Sequence, residues 1–452
     1  MHITGIIAEY NPLHLGHQYH INQTRTLVGS NDTHYIITVL SGDFVQRGLP
    51  AITDKHTRTR MALETGSDLV LELPVLYALS SGEGFGFGGV SLLHQLGCVD
   101  TLSFGTEEGA LGKLLAIARV LNYEHKLASD SAAESSGFVC TASGTAPFLK
   151  PTPYQQAYQA ALKQGMTHPA ARTHALCTAY PDLDLAVLNG QSNNMLALEY
   201  CKALYRLQSQ IRPITVKRLG QDYLESTLKD AKNTFLSELH FASATAIRET
   251  LQQTHKADTA DFSFDTLANS VSPFVKDHLT RAHAENRLIY PDDFSLLLHY
   301  KLLNLTKAEL SEYLEVTPDF ANKITKNLGQ FESFTQFANI LWTKDTTYAR
   351  VCRNLMNLIL DIKENTWDVH QPVPYARVLG FRKNSAALLS EIKRKSAIPL
   401  ITKLADAEKI LTPDAYRLLE ADIKAAHVYD SVIQHKGRQK VVHEMQKQIV
   451  IV

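Results

Sequence analysis

Two histidines three residues apart, His14 and His17, enclose Gly16 in the run from Glu9 to His17. Imidazoles at that spacing can share one helical face and donate to the same oxygens, and a glycine between them lets the backbone approach a phosphate closely. Such a pair suits the stabilisation of charge that develops on a phosphoryl group. The bland alternative is two satisfied surface or core histidines. A metal reading fares worse, because His20 at i+6 lies too far round a helix and no neighbouring Cys or carboxylate closes a ligand set. A second run with chemical potential comes late, Ala242-Ser243-Ala-Thr245-Ala-Ile-Arg248. Ser243 and Thr245 can cap a helix and offer hydroxyls to phosphate, and Arg248 supplies a planar fork one turn further on. An ordinary capped helix would account for Ser243 but not for Arg248 at that spacing.

These residues need elements that bring them together. The first quarter alternates short apolar runs with amphipathic segments: Ile3 to Ala8, a helix from about His17, Tyr35 to Leu40, a helix from about Thr53, and Asp68 to Leu73. That is the grammar of buried parallel strands with helical crossovers. His14 and His17 then fall at the carboxyl edge of the first strand, where the following helix aims free N–H groups and a positive dipole at the crevice. A helix is expected from about Leu76 to Leu96, then a strand from Val99 to Phe104. The glycine-rich stretch from Ser81 to Gly89 tempts a dinucleotide fingerprint, but no strand directly precedes it. Residues from Ser129 to Pro147, rich in Ser, Ala, Gly and Thr, read as a surface loop or insertion. Helical pattern returns from Tyr154 to Lys163 and from Asn194 to Leu207, a late strand follows from Pro213 to Leu219, and Ser243 opens a helix. From about Asp261 the apolar residues recur at helical spacing, as in Leu296, Leu297, Tyr300 and Leu303 or Leu355, Leu358, Ile359 and Ile362. Tyr375 to Phe381 and Pro399 to Leu404 read as short strands or loops.

Composition bounds the rest. The 452 residues carry 45 Lys plus Arg against 46 Asp plus Glu, a net charge of -1, so nucleic-acid contact requires local segregation of charge. At 44% hydrophobic the chain can build large cores, and it contains no apolar run long enough for a spanning helix. The amino terminus lacks the pattern of a secretory signal, so a cytoplasmic protein is expected. Five cysteines without any CxxC pattern read as reduced core thiols. Between Gln371 and Lys403 lie seven cations (Arg377, Arg382, Lys383, Lys393, Arg394, Lys395 and Lys403) against one acid, Glu391. Tyr348, Arg350 and Arg353 add an aromatic and two cations, and Lys436, Arg438, Lys440 and Lys447 form a basic carboxyl-terminal stretch. A solvated face is the usual fate of such charges; an RNA surface is the alternative.

The segment His14-Leu-Gly-His17 after a first strand resembles the HxGH signature of the HIGH nucleotidyltransferase superfamily, and Ala242 to Arg248 resembles its ISSTxIR-like second signature. Ser41-Gly-Asp-Phe-Val-Gln-Arg47, Phe104-Gly105-Thr-Glu107, Ser192-Asn193-Asn194, Lys217-Arg218 and Tyr375 to Phe381 resemble blocks of the bacterial tRNA(Met) cytidine acetate ligases, across nearly the whole chain. The resemblance implies an α/β fold, a HIGH-type Rossmann-like nucleotidyltransferase domain with a mostly helical C-terminal domain. It implies residues 1–258 as the catalytic domain, with an insertion at about 125–190, and 259–452 as a tRNA-binding domain. It implies an ATP-dependent ligase that makes acetyl-adenylate and acetylates N4 of the wobble cytidine of elongator tRNA(Met), with acetate as co-substrate and no role for a membrane or DNA.

Carried over by position, the resemblance puts ATP on Ile7, Ala8, Glu9, Tyr10, Asn11, Pro12, Leu13, His14, Leu15, Gly16, His17, Gln18, Tyr19 and His20, and on Gly105, Asn193 and Arg218. His14, His17, Ser243, Thr245 and Arg248 would serve catalysis, and Mg2+ is expected with the triphosphate although no dedicated cage is visible. Singly, Gly105 could be a turn, Asn193 a helix cap and Arg218 a surface charge. Asp43, Arg47 and Lys55 stay unassigned between acetate, magnesium and tRNA. Two other readings remain: a small-molecule adenylyltransferase of coenzyme biosynthesis, against which the long basic helical half weighs, and a non-catalytic RNA-binding protein with a vestigial nucleotide pocket, against which both histidines and Arg248 weigh.

Overall fold

Along the first strand, β1 (His2–Ala8), and the second, β2 (His34–Ser41), consecutive residues serve opposite faces of one sheet. Ile36 and Leu40 pack with Ile6, Leu13 and Ile21 on one side, whereas Ile37 and Val39 join Ile3, Leu71 and Leu93 on the other. The structure, a computed structural model, describes residues 1–29, 33–106, 111–135, 151–188, 192–217, 243–257, 267, 269–344 and 346–452. A tight hairpin, β3 (Phe44–Val45) and β4 (Leu49–Pro50), follows β2, then come β5 (Leu69–Leu73), β6 (Thr101–Thr106) and β7 (Arg212–Lys217). From the second half of the chain come β8 (Ala376–Phe381), β9 (Leu400–Ile401) and β10 (Val450–Ile451). The main sheet runs β10-β8-β5-β2-β1-β6-β7, with β9 paired to β8, and among the described residues only its β5–β8 pairing is antiparallel. The expected α/β architecture, with its parallel strands and crossover helices, is therefore present.

Several elements differ from their sequence expectation. The helix expected from Leu76 to Leu96 breaks after a single turn, Val75–Ala78, and restarts as Gly82–Gln95 with the Ser81 hydroxyl accepting from the Gly84 N–H. Its glycines serve packing: a Cβ on Gly89 would lie 2.6 Å from the Ile7 side chain of β1, so the helix lies close against the sheet. The helix Leu111–Ser135 runs through the start of the expected loop, whose remainder lies outside the described residues. Leu355, Leu358 and Ile362 are buried as expected, but on the helix Ser295–Leu303 the residues inside are Leu298 and Leu302, while Leu296, Leu297, Tyr300 and Leu303 face solvent. Cys98, Cys201 and Cys352 are buried thiols, Cys177 is exposed, and Cys140 lies outside the described residues.

The carboxyl-terminal half is mostly helical yet contributes β8, β9 and β10 to the sheet. The expected division at 258/259 falls outside the described residues. What joins β8 to β5 includes buried charge: Glu72 of β5 meets Lys55 at 2.7 Å and Arg377 of β8 at 2.5 Å, and Glu444 meets Lys55 at 2.8 Å and also pairs with Arg377. All four side chains are nearly inaccessible to solvent. Arg377, counted among the cations of a possible RNA surface, is thus a structural residue.

Candidate active site

The loop after β1 is held by a buried guanidinium and by hydrogen bonds to two other segments. Arg58, wholly buried, donates to the carbonyls of Glu9 at 2.8 Å, Ser41 at 2.9 Å and Thr53 at 3.0 Å, and also to that of Gly42. One guanidinium therefore joins the carboxyl ends of β1 and β2. The Asn11 carboxamide oxygen accepts from Ile52 N–H at 2.8 Å, and Leu15 N–H reaches Ser270 O at 2.8 Å.

His14 is the N-cap of the helix Leu15–Val28, and its Nδ1 accepts the Gly16 N–H at 3.0 Å. His17 in turn accepts the His14 N–H on its own Nδ1 at 3.2 Å, closing a reciprocal cap. With both Nδ1 atoms accepting, each neutral ring carries its proton on Nε2. The rings stack at 3.8 Å with 26° between planes, and Tyr10 sets its edge against His17 at 4.9 Å. The pair is thus both a helix cap and a pair of tautomer-fixed donors. His20 lies apart from it, its Nε2 2.9 Å from the Ser103 hydroxyl on β6.

The second run folds as the spacing suggests. Ser243 Oγ accepts the Ala246 N–H at 3.1 Å at the start of the helix Ala244–Ala257. Arg248 donates to Asn11 O at 2.6 Å and to Thr245 Oγ1 at 3.1 Å, so it braces the loop that carries His14.

All of this borders a cavity of about 1150 Å³, above the roughly 300–1,000 Å³ of an ordinary small-molecule site. Of the residues expected to touch nucleotide, Ile7, Ala8, Glu9, Tyr10, Asn11, His14, Gly16, His17, Tyr19, His20, Gly105 and Asn193 line it. Pro12, Leu13, Leu15 and Gln18 do not, and Leu13 is a core residue packed with Ile6 and Ile21. Arg248 lines the cavity; Ser243 and Thr245 stand one layer behind, engaged in the cap and with the guanidinium. Arg218 lies outside the described residues, but Lys217, its neighbour at the end of β7, lines the cavity. Of the three unassigned residues only Arg47 reaches it. Lys55 is in the buried charge cluster. Asp43 is buried and accepts the Lys55 N–H at 2.8 Å, and its carboxyl is raised by burial despite the nearby Lys55 charge.

Sequence reading missed a charged wall. Arg172 meets Glu199 at 2.7 Å, Lys202 meets Glu199 at 2.6 Å and Glu83 at 3.2 Å, and all four line the cavity. No motif marks them, because they come from three separate helices, Gly82–Gln95, His168–Ala179 and Ser192–Arg206. Among the described residues no group of three His, Cys, Asp or Glu side chains is arranged to hold a metal ion. None of the described helices is long and apolar enough to cross a membrane. The basic stretches are thinner than their count: Arg394 and Lys395 pair with Glu391, Lys436 with Asp293 and Lys447 with Asp430, leaving Lys383, Lys393, Arg438 and Lys440 exposed without ion-pair partners among the described residues.

The chain is similar to known proteins over its whole length. The HIGH Nucleotidyl Transferase family model matches residues 1–138 and 142–444. A tRNA(Met) cytidine acetate ligase of Clostridium perfringens is 36% identical over 437 residues, 95% of each chain, and one of Acetivibrio thermocellus is 30% identical over 456 residues, 100% of each. The crystal structure of Thermotoga maritima TmcAL bound with alpha-thio ATP superposes with a TM-score of 0.83 at 25% identity, covering all of both chains. A reciprocal histidine cap at the end of the first strand, an arginine bracing it from a late helix, and full-length similarity agree: the chain belongs to the tRNA(Met) cytidine acetate ligase family of HIGH nucleotidyltransferases.

Proposed function

We infer that this chain is an ATP-dependent ligase that activates acetate as acetyl-adenylate and acetylates N4 of the wobble cytidine of elongator tRNA(Met). The observation that carries the reading is the backbone occupancy of both Nδ1 atoms at His14 and His17 beside a helix N-terminus, which puts the proton of each neutral ring on Nε2 in two residues that line the cavity. In the first step an acetate oxygen attacks the α-phosphorus of ATP and pyrophosphate leaves with its electron pair. His14 and His17 stabilise charge on the phosphoryl oxygens, and Arg248 holds the departing phosphates, with Thr245 orienting its guanidinium and Ser243 capping its helix. In the second step the cytidine N4 amine attacks the acetyl carbon, AMP leaves, and N4 gives up a proton. Mg2+ fits as an ion carried by the triphosphate oxygens and water, since the described residues offer no dedicated donor set.

Residues 1–258, including the insertion at about 125–190, form the nucleotide half in this reading, and 259–452 present the tRNA. A tRNA substrate and ATP fit a cytoplasmic reaction, and neither a membrane nor DNA takes part. A coenzyme adenylyltransferase does not call for Arg350 and Arg353 of the helical half at the cavity wall. The deciding experiment incubates the protein with tRNA(Met), ATP and isotopically labelled acetate and examines nucleosides by mass spectrometry. Labelled N4-acetylcytidine that requires all three substrates is the expected result; AMP transfer to a small molecule with no labelled nucleoside would overturn the reading.

A further inference from the structure

The cavity spans the point where the sheet changes direction, and its two sides differ in chemistry. From β1 the chain runs outward through β2 to β5, then returns to β6 and β7 on the other side, and ligands of such sheets sit above that switch. Gly105, Val216 and Lys217, at the ends of β6 and β7, line one side. Gln46 and Arg47, from the hairpin after β2, line the other, together with Glu315, Arg350 and Arg353 of the helical half.

On that second side the hairpin and the helical half meet in close backbone contact. Gly48 has φ of +75°, and a Cβ there would lie 2.2 Å from Arg353 N and 2.5 Å from Cys352 C, so hairpin backbone rests directly on the backbone of the helix Tyr348–Ile359. Arg47 precedes that contact, and Arg350 lies one turn before it on the same helix. Arg353 is buried and paired with Glu315 at 3.1 Å, which engages the carboxylate that also lines this side. The guanidiniums of Arg47 and Arg350 have no hydrogen-bond or ion-pair partner among the described residues. The carboxylates on this side are already engaged, Glu315 by Arg353 and Glu9 by the Gln46 N–H at 2.7 Å, so two like charges on one side of the cavity fit an anionic ligand that arrives from outside.

We propose that Arg47 and Arg350 form a clamp for the phosphodiester backbone of RNA where the acceptor nucleotide enters the cavity. The proposal rests on the reading of the chain as an RNA-acetylating ligase. A base whose exocyclic amine must reach an adenylate inside the cavity has to leave its stack, and its flanking phosphates then pass the rim. A guanidinium can bond two phosphate oxygens at once, and the two arginines come from the two halves of the chain. They stand on the β2 side, away from Gly105 and Lys217, although Gln46 beside Arg47 donates its N–H to Glu9 of the nucleotide segment at 2.7 Å, so RNA contact and nucleotide contact are told apart by pyrophosphate exchange.

The test uses the full chain with Arg47→Gln, Arg350→Gln and the double variant, each checked for folding by circular dichroism. Acetate-dependent ATP–pyrophosphate exchange, which needs no RNA, is measured beside tRNA(Met) affinity as a function of salt. Exchange is expected to stay within about twofold of the unaltered protein, at unchanged KM for acetate. RNA affinity should fall on the order of tenfold in the double variant, and the salt slope should shrink by about 0.7 for each single-stranded phosphate that is no longer neutralised. Arg350→Lys should keep most of the slope because it keeps the charge. Loss of exchange, or a raised KM for acetate, would assign the arginines to ATP or acetate and overturn the proposal; unchanged affinity and slope would overturn it as well. If the unaltered protein exchanges pyrophosphate but acetylates no cytidine, the functional reading fails, while the salt slope still decides the clamp.

Discussion

At the level of single residues, the site depends on which nitrogen of each imidazole the backbone occupies. His14 and His17 each accept a backbone N–H on Nδ1, so the tautomer this imposes on each neutral ring fits it to donate from Nε2. We expect His14→Ala or His17→Ala to lower acetate-dependent pyrophosphate exchange by about 10²–10³, the roughly 2.7–4 kcal/mol typical of one lost donor to developing charge. Loss of the cap should lower stability by about 0.5–2 kcal/mol, so thermal unfolding measured alongside separates the two effects. Exchange at the unaltered rate in both variants would remove the pair from the chemistry. The same pair shows why a functional and a structural reading need not compete: the atoms that cap the helix are the ones that orient the donors.

At the level of elements, close packing sets the floor of the cavity. Gly89 lets the helix Gly82–Gln95 lie against Ile7, which itself lines the cavity. Gly89→Ala gains about 0.8–1.0 kcal/mol of helix propensity but incurs about 1–3 kcal/mol of overpacking, because the added Cβ would meet the terminal Cδ1 of Ile7 at 2.6 Å and both of its γ carbons at 2.9 Å. We expect a net loss of stability, read as a lower urea midpoint at unchanged m, and a higher KM for ATP as Ile7 is displaced. The basic stretches carry a related lesson. Arg394 and Lys395 share the carboxylate of Glu391, whose pKa falls to about 2 through hydrogen bonds from Arg394 and Lys395, so this helix end offers RNA less free charge than its composition suggests.

At the level of the whole molecule, the two halves are joined by a sheet and a buried charge cluster. Burial by itself would raise the Glu444 carboxyl, but Lys55, the neighbouring His56 and Arg377 outweigh it and hold the group far below the carboxylate range. Glu444→Gln leaves Lys55 and Arg377 short of one counter-charge, and we expect a loss of about 3–5 kcal/mol, measured by denaturant unfolding. Because the folded pKa is depressed, this contribution is present above the unfolded carboxyl pKa and is lost only as pH falls toward the folded one. The difference between variant and parent should therefore hold steady from roughly pH 5 to 8 and shrink in stronger acid. A variant as stable as its parent would show that Glu72 and Asp43 alone satisfy the two cations.

The histidine pair, the Ser243 cap with Arg248 one turn on, and the alternation of strands and helices were legible in the chain because each depends on neighbours within a few residues. Tyr375 to Phe381 read as a short strand or a loop, and nothing local told that it would form β8 and pair with β5 across some three hundred residues. The fate of individual charges was likewise out of reach. Arg377 and Lys55 look like any surface cations in sequence and are buried because Glu72 and Glu444 arrive from distant segments. Leu296 and Tyr300 share the helical spacing of core residues yet face solvent, since periodicity marks a face without saying which side meets the core. The cavity wall of Arg172, Glu199, Lys202 and Glu83, and the seam at Gly48, belong to the same class. Covalent sequence determines what a residue can donate, accept or cap locally; which charges meet, and which face is covered, is decided only when non-local segments close around them.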